Sequence, residues 1–529
     1  VPDGRGGAGG VMSDVKKRLK LLKKQPPSNG DSPEKTRKKP TGKPSGEPSG
    51  EPDTTPRSMP EQQQDPGKKK ILDNLRSMIA RVESQPAHRS VLESLNRKPL
   101  ARTPESDGSA APAGGVRDYA PGPGAGLLEE DLFEGPGQDI EDLINGEYLE
   151  TPHGPCFRVR TEYPWQYHQG DVPVSTLLDR NPGVLAELTA EPGLGTVDFR
   201  RMVFFDTETT GLDTGAGIYI FLAGLGWFED RTFVVEQYFM RDFPEEPAVL
   251  HVLAERMAGF DGLVTYNGKT YDWPLLESRF AMNHRPVPMD RPLHLDLLHA
   301  ARRLYRHRLE SCRLPSVEAG VLNFHRVDDM PGALLPERYF RYVRSRDARF
   351  IHKAFAHNAH DIVSMAAILS AMIGFLDDPL GNPAHPPEDI YALGRVRELH
   401  RDDDGAIAAF SEALQRRLQP ALYADALQRL SLALKRREEW DRACDIWRHM
   451  IQTAGAGGVF PHIELAKYHE HRRQDFEEAQ RWVVAALDHL QHCLPLRPGL
   501  REDLEYRLRR IETRLSGGTW QPGRRDVED

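Results

Sequence analysis

The sequence predicts an α/β domain with a mixed sheet flanked by helices, followed by an all-α region of helical repeats and preceded by a disordered arm. Three observations predict this order. The beginning of the chain is rich in Pro, Gly, Ser and Lys, the middle combines strand-like and helical segments, and the last part repeats a helical pattern. With 529 residues, the chain is long enough for two or three domains.

The beginning of the chain is predicted to lack a packed core. Residues 1–125 are a disordered basic arm in this interpretation, and residues 126–153 an acidic linker, because stretches such as KPTGKPSGEPSGEPD cannot offset the entropy of ordering. The segments 15–24 and 70–82 are either docking helices or nascent helices without a role. The basic residues of the arm either hold nucleic acid or form a solvated tail, although the whole chain has a formal net charge of -9.

Residues 154–378 are predicted to form the α/β domain. Because apolar, β-branched and aromatic residues favour strands, we expect a strand-like segment from Gly154 and three strands at 202–206, 218–228 and 232–240. Helices and strands alternate afterwards, with helix 245–259, strand 263–267, helix 274–282 and strand 294–298. This order is expected of a mixed sheet covered by helices.

Two carboxylates end the first of these three strands, in the segment VFFDTETTGL. Asp206 and Glu208 lie two residues apart, so their side chains point to one face of the strand. Adjacent carboxylates are costly unless cations neutralise them, and Mg²⁺ and Mn²⁺ prefer carboxylate and water oxygens. A solvated strand end is the alternative, but the apolar strand before the pair and TTGL after it make the motif specific.

FDTETTGL resembles the first motif of the DEDD superfamily of exonucleases, which includes the DnaQ-like proofreading enzymes and has a ribonuclease H-like fold. The second motif of that superfamily is similar to NGKTYD here, from Asn267 to Asp272, between a strand and a helix. The resemblance implies that Asn267 ties down the loop, Tyr271 packs beneath it and Asp272 is a metal ligand. Alternatively, Asp272 only caps the helix that Pro274 opens.

The third motif, HNAHD, lies within a predicted helix and supplies a histidine and a carboxylate. His357 and Asp361 are four residues apart, which places them one turn apart on one helix face. Histidine is suited to deprotonating a water near neutral pH. DEDD proteins usually have Tyr four residues before the last Asp or His five residues before it, whereas this chain has His at the tyrosine spacing. His360 should point about 100° away and is the poorer candidate.

The segments HLDLLHAARRLYRHRLESCRLPSVE, RVDDMPG and HNAHDIVSM resemble the YprB-like ribonuclease H-like proteins of bacteria, in which His at this spacing is usual. In this region we expect Asp296 to support the site or end a strand, and Asp328 and Asp329 to be loop acids. Five arginines, with Tyr305 for stacking, either line a nucleic-acid groove or form the polar side of an amphipathic helix, and the second interpretation needs less. They are Arg302, Arg303, Arg306, Arg308 and Arg313.

A helical pattern with a period near that of tetratricopeptide arrays, which is about 34 residues, occupies residues 386–515. Apolar triplets at offsets of four and seven recur after 37 residues (406 to 443) and after 36 residues (443 to 479). They are Ala406, Phe410 and Ala413, then Ala443, Trp447 and Met450, then Ala479, Val483 and Ala486. The pattern predicts tetratricopeptide-like repeats that bind a protein partner, with a plain α-hairpin bundle as the alternative. Residues 516–529 are predicted to be a disordered tail.

The resemblance implies a metal-dependent 3′-5′ exonuclease that acts on single-stranded DNA or RNA ends with two Mg²⁺ or Mn²⁺ ions. Asp206 would bridge the ions, Glu208 and Asp361 would hold the ion that activates water, and Asp272 would help to hold the other. His357 would orient or deprotonate the water. Two alternatives stay open: a nucleic-acid-binding scaffold with little or no catalysis that acts through the helical repeats, and an endonuclease on the same fold.

The cysteines and the hydropathy of the chain predict a cytoplasmic location. The four cysteines lie far apart without a CxxC pair, so neither a disulfide framework nor a thiolate zinc site is supported. No apolar run approaches the roughly 20 residues that span a bilayer, and the start has no hydrophobic signal core. We therefore expect a reducing compartment and no membrane as partner.

Overall fold

The computed structural model describes residue 133 and residues 135–211, 217–453, 458–491 and 499–520. The predicted arm, residues 1–125, lies outside the described residues, and so does the tail from residue 521 onward. The described residues form a mixed sheet flanked by helices, followed by a helical region. This architecture confirms the predicted fold class.

The described part of the chain has nine strands, of which seven form the main sheet and two form a separate pair. In chain order the strands are β1 (Glu147–Thr151), β2 (Gly154–Pro164), the short pair β3 (His168–Gln169) and β4 (Val172–Pro173), β5 (Met202–Thr209), β6 (Ile220–Glu229), β7 (Thr232–Phe239), β8 (Gly262–Thr265) and β9 (Leu293–Asp296). The main sheet has the order β1-β2-β7-β6-β5-β8-β9, and β3 pairs only with β4. The pairs from β1 to β5 are antiparallel, whereas β5, β8 and β9 run parallel. The sheet is therefore mixed, as the order of elements predicted.

The predicted acidic linker over residues 126–153 is wrong in its last part, because β1 belongs to the sheet. A short helix, α1 (Ile140–Leu143), precedes it, and Ile140 is buried. Along β1 only Leu149 and Thr151 are partly buried, while Glu147 and Glu150 face solvent. An edge strand needs only one covered face, so its exposed acids made this segment resemble a linker.

Helices cover both faces of the sheet. They are α2 (Gly183–Thr189), α3 (Glu246–Met257), α4 (Asp272–Met282), α5 (Leu297–Tyr305), α6 (Leu314–Val317), α7 (Leu335–Ser345) and α8 (His352–Asp377). Val203 and Phe205 of β5 join the core formed with α3, α4 and α7. Phe204 points to the opposite face and joins the core formed with α5 and α8. The alternation along β5 thus builds two apolar layers, as expected for a strand buried on both sides.

The long helix α8 is apolar because it crosses the core. The stretch Ala348–Asp377 has the length and composition of a membrane span, so the expectation that no apolar run approaches that length is wrong. However, 72% of its most apolar window is buried inside the protein. Ile362, Val363 and Ile368 are fully buried there, and the helix packs on β5, β6 and β7.

Seven helices follow in the described part of the chain, and each contacts the next. They are α9 (Pro387–Leu399), α10 (Asp403–Gln415), α11 (Pro420–Arg436), α12 (Trp440–Gln452), α13 (Phe460–Tyr468), α14 (Phe476–Gln491) and α15 (Leu500–Leu515). The three predicted triplets lie on α10, α12 and α14 and are buried. A Cβ atom on Gly394 would lie 2.7 Å from the Phe410 ring, so α9 and α10 pack closely. Their tetratricopeptide-like character stays a prediction.

Candidate active site

The first two predicted acids lie on β5, between β6 and β8. Asp206 lies opposite Gly224 of β6, and Glu208 lies opposite Leu222. Because successive side chains of a strand alternate, Asp206 and Glu208 emerge on the same face. Glu208 is only 9% exposed. The strand therefore brings two carboxylates together in a mostly buried position.

Asn358 of α8 holds the Asp206 carboxylate. Its Nδ2 donates to Asp206 Oδ2 at 2.8 Å, while its Oδ1 accepts from Gln237 Nε2 at 2.8 Å. The helix approaches this closely because β6 carries Gly224, on which a Cβ atom would lie 2.2 Å from Asn358 Oδ1. Asn358 was not predicted as a member of the site. The available signal was an amide beside His357, on a helix that faces a Gly-Leu-Gly strand.

Asp272 is the first residue of α4 and faces the end of β5. Thr207 Oγ1 donates to Asp272 Oδ1 at 2.5 Å. The preceding loop is tied to Asp296, whose Oδ1 accepts from the Asn267 N–H at 2.8 Å and whose Oδ2 accepts from the Lys269 N–H at 3.1 Å. Asn267 itself has a left-handed φ of 70°, a conformation that Asn tolerates better than most residues. Asp296 thus ends β9, which was one of its two predicted roles, and it also holds the loop that leads to Asp272.

The expectation that Tyr271 packs beneath this loop is wrong. Its side chain is 47% exposed, whereas Leu275 and Leu276, one turn further on, are buried. The chain enters α4 at this point, and Asp272 takes the inward direction that was expected of the tyrosine. An aromatic ring therefore lies at the surface, next in sequence to a predicted metal ligand.

His357 and Asp361 extend from one face of α8, as their spacing predicted. His357 Nε2 lies 3.9 Å from Glu208 Oε1 and 3.9 Å from Asp361 Oδ2. One potential ligand atom from each of Glu208, His357 and Asp361 lies within 4.8 Å of the others. Asp206 and Asp272 are outside this triad but lie close enough for their charges to raise the pKa of Glu208. The structure therefore brings all five predicted residues into one region.

Arg326, in the segment between α6 and α7, reaches into the same region. Its side chain is 6% exposed and forms an ion pair with Asp361. It also contacts Asp329, with 3.2 Å between Nη1 and Oδ2, and Glu318, with 2.7 Å between Nη2 and Oε1. Neither Arg326 nor Glu318 was predicted as a member of the site, because only the fold brings Arg326 to Asp361, which lies 35 residues further along the chain.

Asp329 is also part of this region, so the expectation that it is only a loop acid is wrong. Its Oδ1 lies 2.8 Å from His357 Nδ1. Its neighbour Asp328 does behave as expected, because its side chain is 74% exposed and pairs with Lys353 at 2.7 Å. Adjacent acids in one loop thus have different surroundings, which local sequence does not reveal.

Burial and repulsion between carboxylates raise the pKa values of Asp206, Glu208 and Asp272. Burial, followed by the charges of Asp361 and Asp272, raises the pKa of Asp206 well above its ordinary value. Burial and the charge of Asp206 raise the pKa of Glu208 in the same way. Burial raises the pKa of Asp272 to about 6, although the hydrogen bond from Thr207 opposes the change. The cluster therefore has less positive charge around it than its carboxylates require.

The pKa of His357 is raised for a different reason. Burial lowers it, but the hydrogen bond to Asp329 and the charges of Asp361 and Asp329 outweigh that effect. Arg326 acts in the opposite direction. Carboxylates on both sides of the ring thus favour a protonated imidazole in the metal-free chain.

These residues fit a hard divalent cation. Carboxylate oxygens are the ligands that Mg²⁺ and Mn²⁺ prefer. An oxygen of Glu208 and an oxygen of Asp361 lie within 4.8 Å of each other and of a His357 nitrogen, so the two carboxylates are near enough to share one ion beside the imidazole. The raised pKa values of Asp206 and Glu208 show carboxylates that a cation would stabilise in their charged form.

The remaining candidate residues, His360, Tyr305 and Arg308, contact other parts of the fold. His360 packs with its ring 5.7 Å from Phe324, and burial lowers its pKa. Tyr305 is 3% exposed and has no free face for stacking. Arg308 pairs with Asp389 of α9 at 2.9 Å, which joins the α/β domain to the helical region. Only Arg302 and Arg303 lie on α5, in its last turn, so the amphipathic-helix interpretation applies to two of the five arginines.

Three comparisons relate the chain to known proteins. A family model described as the RNase H superfamily matches residues 203–373. The "Uncharacterized protein YprB" of Bacillus subtilis (strain 168) is 28% identical over 371 residues, which cover 68% of this chain and 86% of that protein. Among solved structures, the family B DNA polymerase from the hyperthermophilic archaeon Pyrobaculum calidifontis is similar at a TM-score of 0.26 and 14% identity. That match covers 45% of this chain and 29% of the polymerase, and we draw no conclusion about fold or function from it.

The matched family segment begins in β5 and ends in α8, so it contains all five predicted site residues. The mixed sheet and its helices agree with the fold of that superfamily. Residues 203–373 are therefore similar to the RNase H superfamily, and this similarity points to a nuclease that hydrolyses phosphodiester bonds.

Proposed function

We propose that this chain is a metal-dependent 3′-5′ exonuclease that acts on single-stranded nucleic acid. The observation that carries the proposal is the convergence of Asp206, Glu208, Asp272, Asp361 and His357 from β5, α4 and α8. Four carboxylates from separate elements rarely lie close together unless a cation neutralises them. The order of the motifs, which resembles that of the DEDD exonucleases, supports the direction of degradation.

Two divalent cations, Mg²⁺ or Mn²⁺, are the proposed cofactors. Glu208 and Asp361 would hold one ion, Asp272 would help to hold the other, and Asp206 would be shared between them. Bound there, the ions would neutralise the carboxylates and stabilise the charge that develops on the attacking and leaving oxygens. Asn358 keeps Asp206 in the position from which it can take this role.

His357 is the proposed proton acceptor. Its Nε2 faces Glu208 and Asp361 rather than solvent. As the O–H bond of the attacking water breaks, the proton passes to Nε2 and the water oxygen bonds to phosphorus. The bond from phosphorus to O3′ of the penultimate nucleotide then breaks and releases a nucleoside monophosphate. Proton transfer by a positioned side chain contributes about 10²- to 10⁴-fold to such reactions.

The exposed ring of Tyr271 favours a single-stranded over a double-stranded substrate. Its ring is 47% exposed beside the start of α4, where Asp272 lies. Exposed aromatic rings hold unpaired bases by stacking, at about 1–3 kcal/mol per base, without regard to sequence. A base of a single strand is available to such a ring, whereas a base within a duplex is not. The protein partner of the helical region and the cytoplasmic location stay predictions.

The experiment is a product analysis with the full chain. The protein is incubated with Mn²⁺ and single-stranded DNA or RNA labelled at its 5′ end, and product sizes are followed over time. We expect a ladder that shortens from the 3′ end and disappears with EDTA or in Asp206→Ala. Asp290→Ala, which removes an exposed acid, is the matched control and should retain activity. Activity that survives in Asp206→Ala would contradict the proposal.

Circular single-stranded DNA separates the alternatives. An exonuclease needs an end and leaves the circle intact, whereas an endonuclease on the same fold opens it. Retention of labelled strands without products in any metal would instead indicate the nucleic-acid-binding scaffold.

A further inference from the structure

The contact between His357 and Asp329 determines which nitrogen of the imidazole faces the metal-ligand candidates. Nδ1 lies 2.8 Å from Asp329 Oδ1, whereas Nε2 lies 3.9 Å from Glu208 Oε1 and from Asp361 Oδ2. An ionised carboxylate only accepts hydrogen bonds, so Nδ1 carries the hydrogen. The neutral ring therefore has its lone pair on Nε2, on the side of Glu208 and Asp361.

Asp329 is itself fixed, and from a different direction. Arg326 Nη1 approaches its second oxygen, Oδ2, at 3.2 Å. Arg326 is held in turn by Glu318, which is 1% exposed and accepts from Arg326 Nε at 2.8 Å and from Nη2 at 2.7 Å. Each oxygen of Asp329 thus has its own partner. The chain of contacts runs from the buried Glu318 through Arg326 and Asp329 to the imidazole.

Arg326 makes a contact with the imidazole that would favour the opposite hydrogen position. Arg326 Nη1 lies 3.4 Å from His357 Nδ1. A guanidinium only donates, so a hydrogen bond there would require a lone pair on Nδ1. That lone pair would also face the Asp329 oxygen at 2.8 Å, which is the shorter contact and would then be repulsive. The hydrogen on Nδ1 satisfies the shorter contact.

We propose that Asp329 is a positioning residue that holds His357 in the tautomer whose Nε2 accepts the proton of the attacking water. Asp329 acts through the imidazole and not on the substrate. A carboxylate on the far nitrogen of a histidine fixes the ring orientation and makes the near nitrogen more basic. The kinetic consequence rests on the proposed nuclease function, whereas the tautomer is a property of the metal-free chain.

Asp329→Asn provides a sharp test, because Arg326 determines how an amide would be oriented there. Arg326 only donates, so it selects the amide oxygen at the place of Oδ2. The NH₂ group then faces His357 and donates to Nδ1, which leaves the hydrogen on Nε2. Asp329→Asn therefore reverses the tautomer while it preserves the size of the side chain. Asp328→Asn is the matched control, since Asp328 lies in the same loop and pairs with Lys353.

The first readout is the tautomer itself. In metal-free protein labelled with ¹⁵N-histidine, nitrogen chemical shifts above the pKa of His357 distinguish a protonated from an unprotonated ring nitrogen, and His357→Ala assigns the signals. We expect hydrogen on Nδ1 in the wild type and in Asp328→Asn, and on Nε2 in Asp329→Asn. Hydrogen on Nε2 in the wild type, or an unchanged tautomer in Asp329→Asn, would overturn the proposal.

The second readout is a double-mutant cycle on turnover. Asp329→Asn should lower kcat about 10- to 100-fold and leave KM and the Mn²⁺ dependence unchanged. In the His357→Ala background the same substitution should alter kcat within about 2-fold, because its target has gone. An equal loss in both backgrounds would overturn the proposal, since Asp329 would then act independently of His357.

Failure of the proposed function is distinguishable from failure of this inference. A wild-type chain without nuclease activity contradicts the function, yet the nitrogen shifts still decide the tautomer. If Asp329→Asn does not fold, the wild-type spectrum alone gives the decision, because hydrogen on Nε2 there contradicts the role of Asp329.

Discussion

Buried carboxylates occur in both parts of the molecule, but their electrostatic surroundings differ. In the helical region, Glu470 is fully buried and accepts from Arg507 Nη1 at 2.7 Å and from Arg510 Nε at 2.8 Å. Burial raises its pKa, but the two arginines outweigh this and leave the pKa lowered. In the α/β domain, burial and the charges of nearby carboxylates raise the pKa values of Asp206 and Glu208 well above normal.

This difference separates a structural role from a functional one. Glu470 is already neutralised by the fold, so its charge contributes to the stability of the folded state. The acids around β5 have too few positively charged side chains near them to balance their negative charge. Arg326 balances only part of that negative charge, through its ion pair with Asp361. A cluster that the chain leaves undercompensated costs stability and is retained where a cation or a substrate completes it. Three variants test this contrast.

The largest expected effect is on turnover, in His357→Ala. We expect kcat to fall about 10²- to 10⁴-fold, the range of general acid-base catalysis. The unfolding free energy and the affinity for Mn²⁺ should change little, because the carboxylates stay in place. Single-turnover rates together with a Mn²⁺ titration measure both quantities. An unaltered rate would remove His357 from the mechanism, and His360→Ala is the control on the same helix.

The next effect is on stability, in Glu470→Ala. Removal of one partner from a buried ion pair costs about 3–5 kcal/mol, because the charge-assisted hydrogen bonds of the pair are lost. Here Arg507 and Arg510 would lose their common partner. Denaturant unfolding of this variant is compared with Glu505→Ala, which removes a side chain that is 45% exposed on α15. Equal losses in the two variants would show that the pairing does not stabilise the fold.

A smaller effect is expected in the pH dependence of stability, in Asp272→Asn. The pKa of Asp272 is raised to about 6 from 3.8, so the folded chain binds the proton more tightly than the unfolded chain. Stability from this group is therefore present at low pH and is lost as the pH rises between about 4 and 6. The loss amounts to at most about 3 kcal/mol.

The measurement for Asp272 is the unfolding free energy with EDTA between pH 4 and pH 7. We expect the wild type to lose more stability over this interval than Asp272→Asn, whereas Asp290→Asn, which removes an exposed acid, should follow the wild type. Parallel curves for the wild type and Asp272→Asn would mean that Asp272 is not destabilised by its surroundings.

The parts of the site that the sequence predicted are those with a local signature. Asp206 and Glu208 lie two residues apart on one strand, and His357 and Asp361 lie one helical turn apart. Spacing alone therefore places each pair on a shared face. The mixed sheet followed from the order of apolar segments, although its number of strands did not. The edge strand β1 was missed because half of its surface is solvated and acidic.

The parts that the sequence did not predict depend on contacts between distant residues. Asp329 reaches His357 across 28 residues of sequence, and Asn358 reaches Asp206 across 152. Nothing in the loop distinguishes Asp329 from Asp328 until the fold is known. Tyr271 was assigned the wrong side because a residue at the start of a helix has no periodicity before it that indicates its direction.

Cation binding tests the central claim most directly. The unfolding temperature of the full chain is measured with EDTA and with increasing Mn²⁺, in the wild type and in Glu208→Gln, which removes one charge from the triad of Glu208, His357 and Asp361. We predict that Mn²⁺ raises the unfolding temperature of the wild type, by linkage worth about 2.7 kcal/mol at a hundredfold excess over Kd, and raises that of Glu208→Gln much less. Without metal, Glu208→Gln should be at least as stable as the wild type. Equal stabilisation of the two proteins by Mn²⁺ would contradict the assignment of these carboxylates to a metal site.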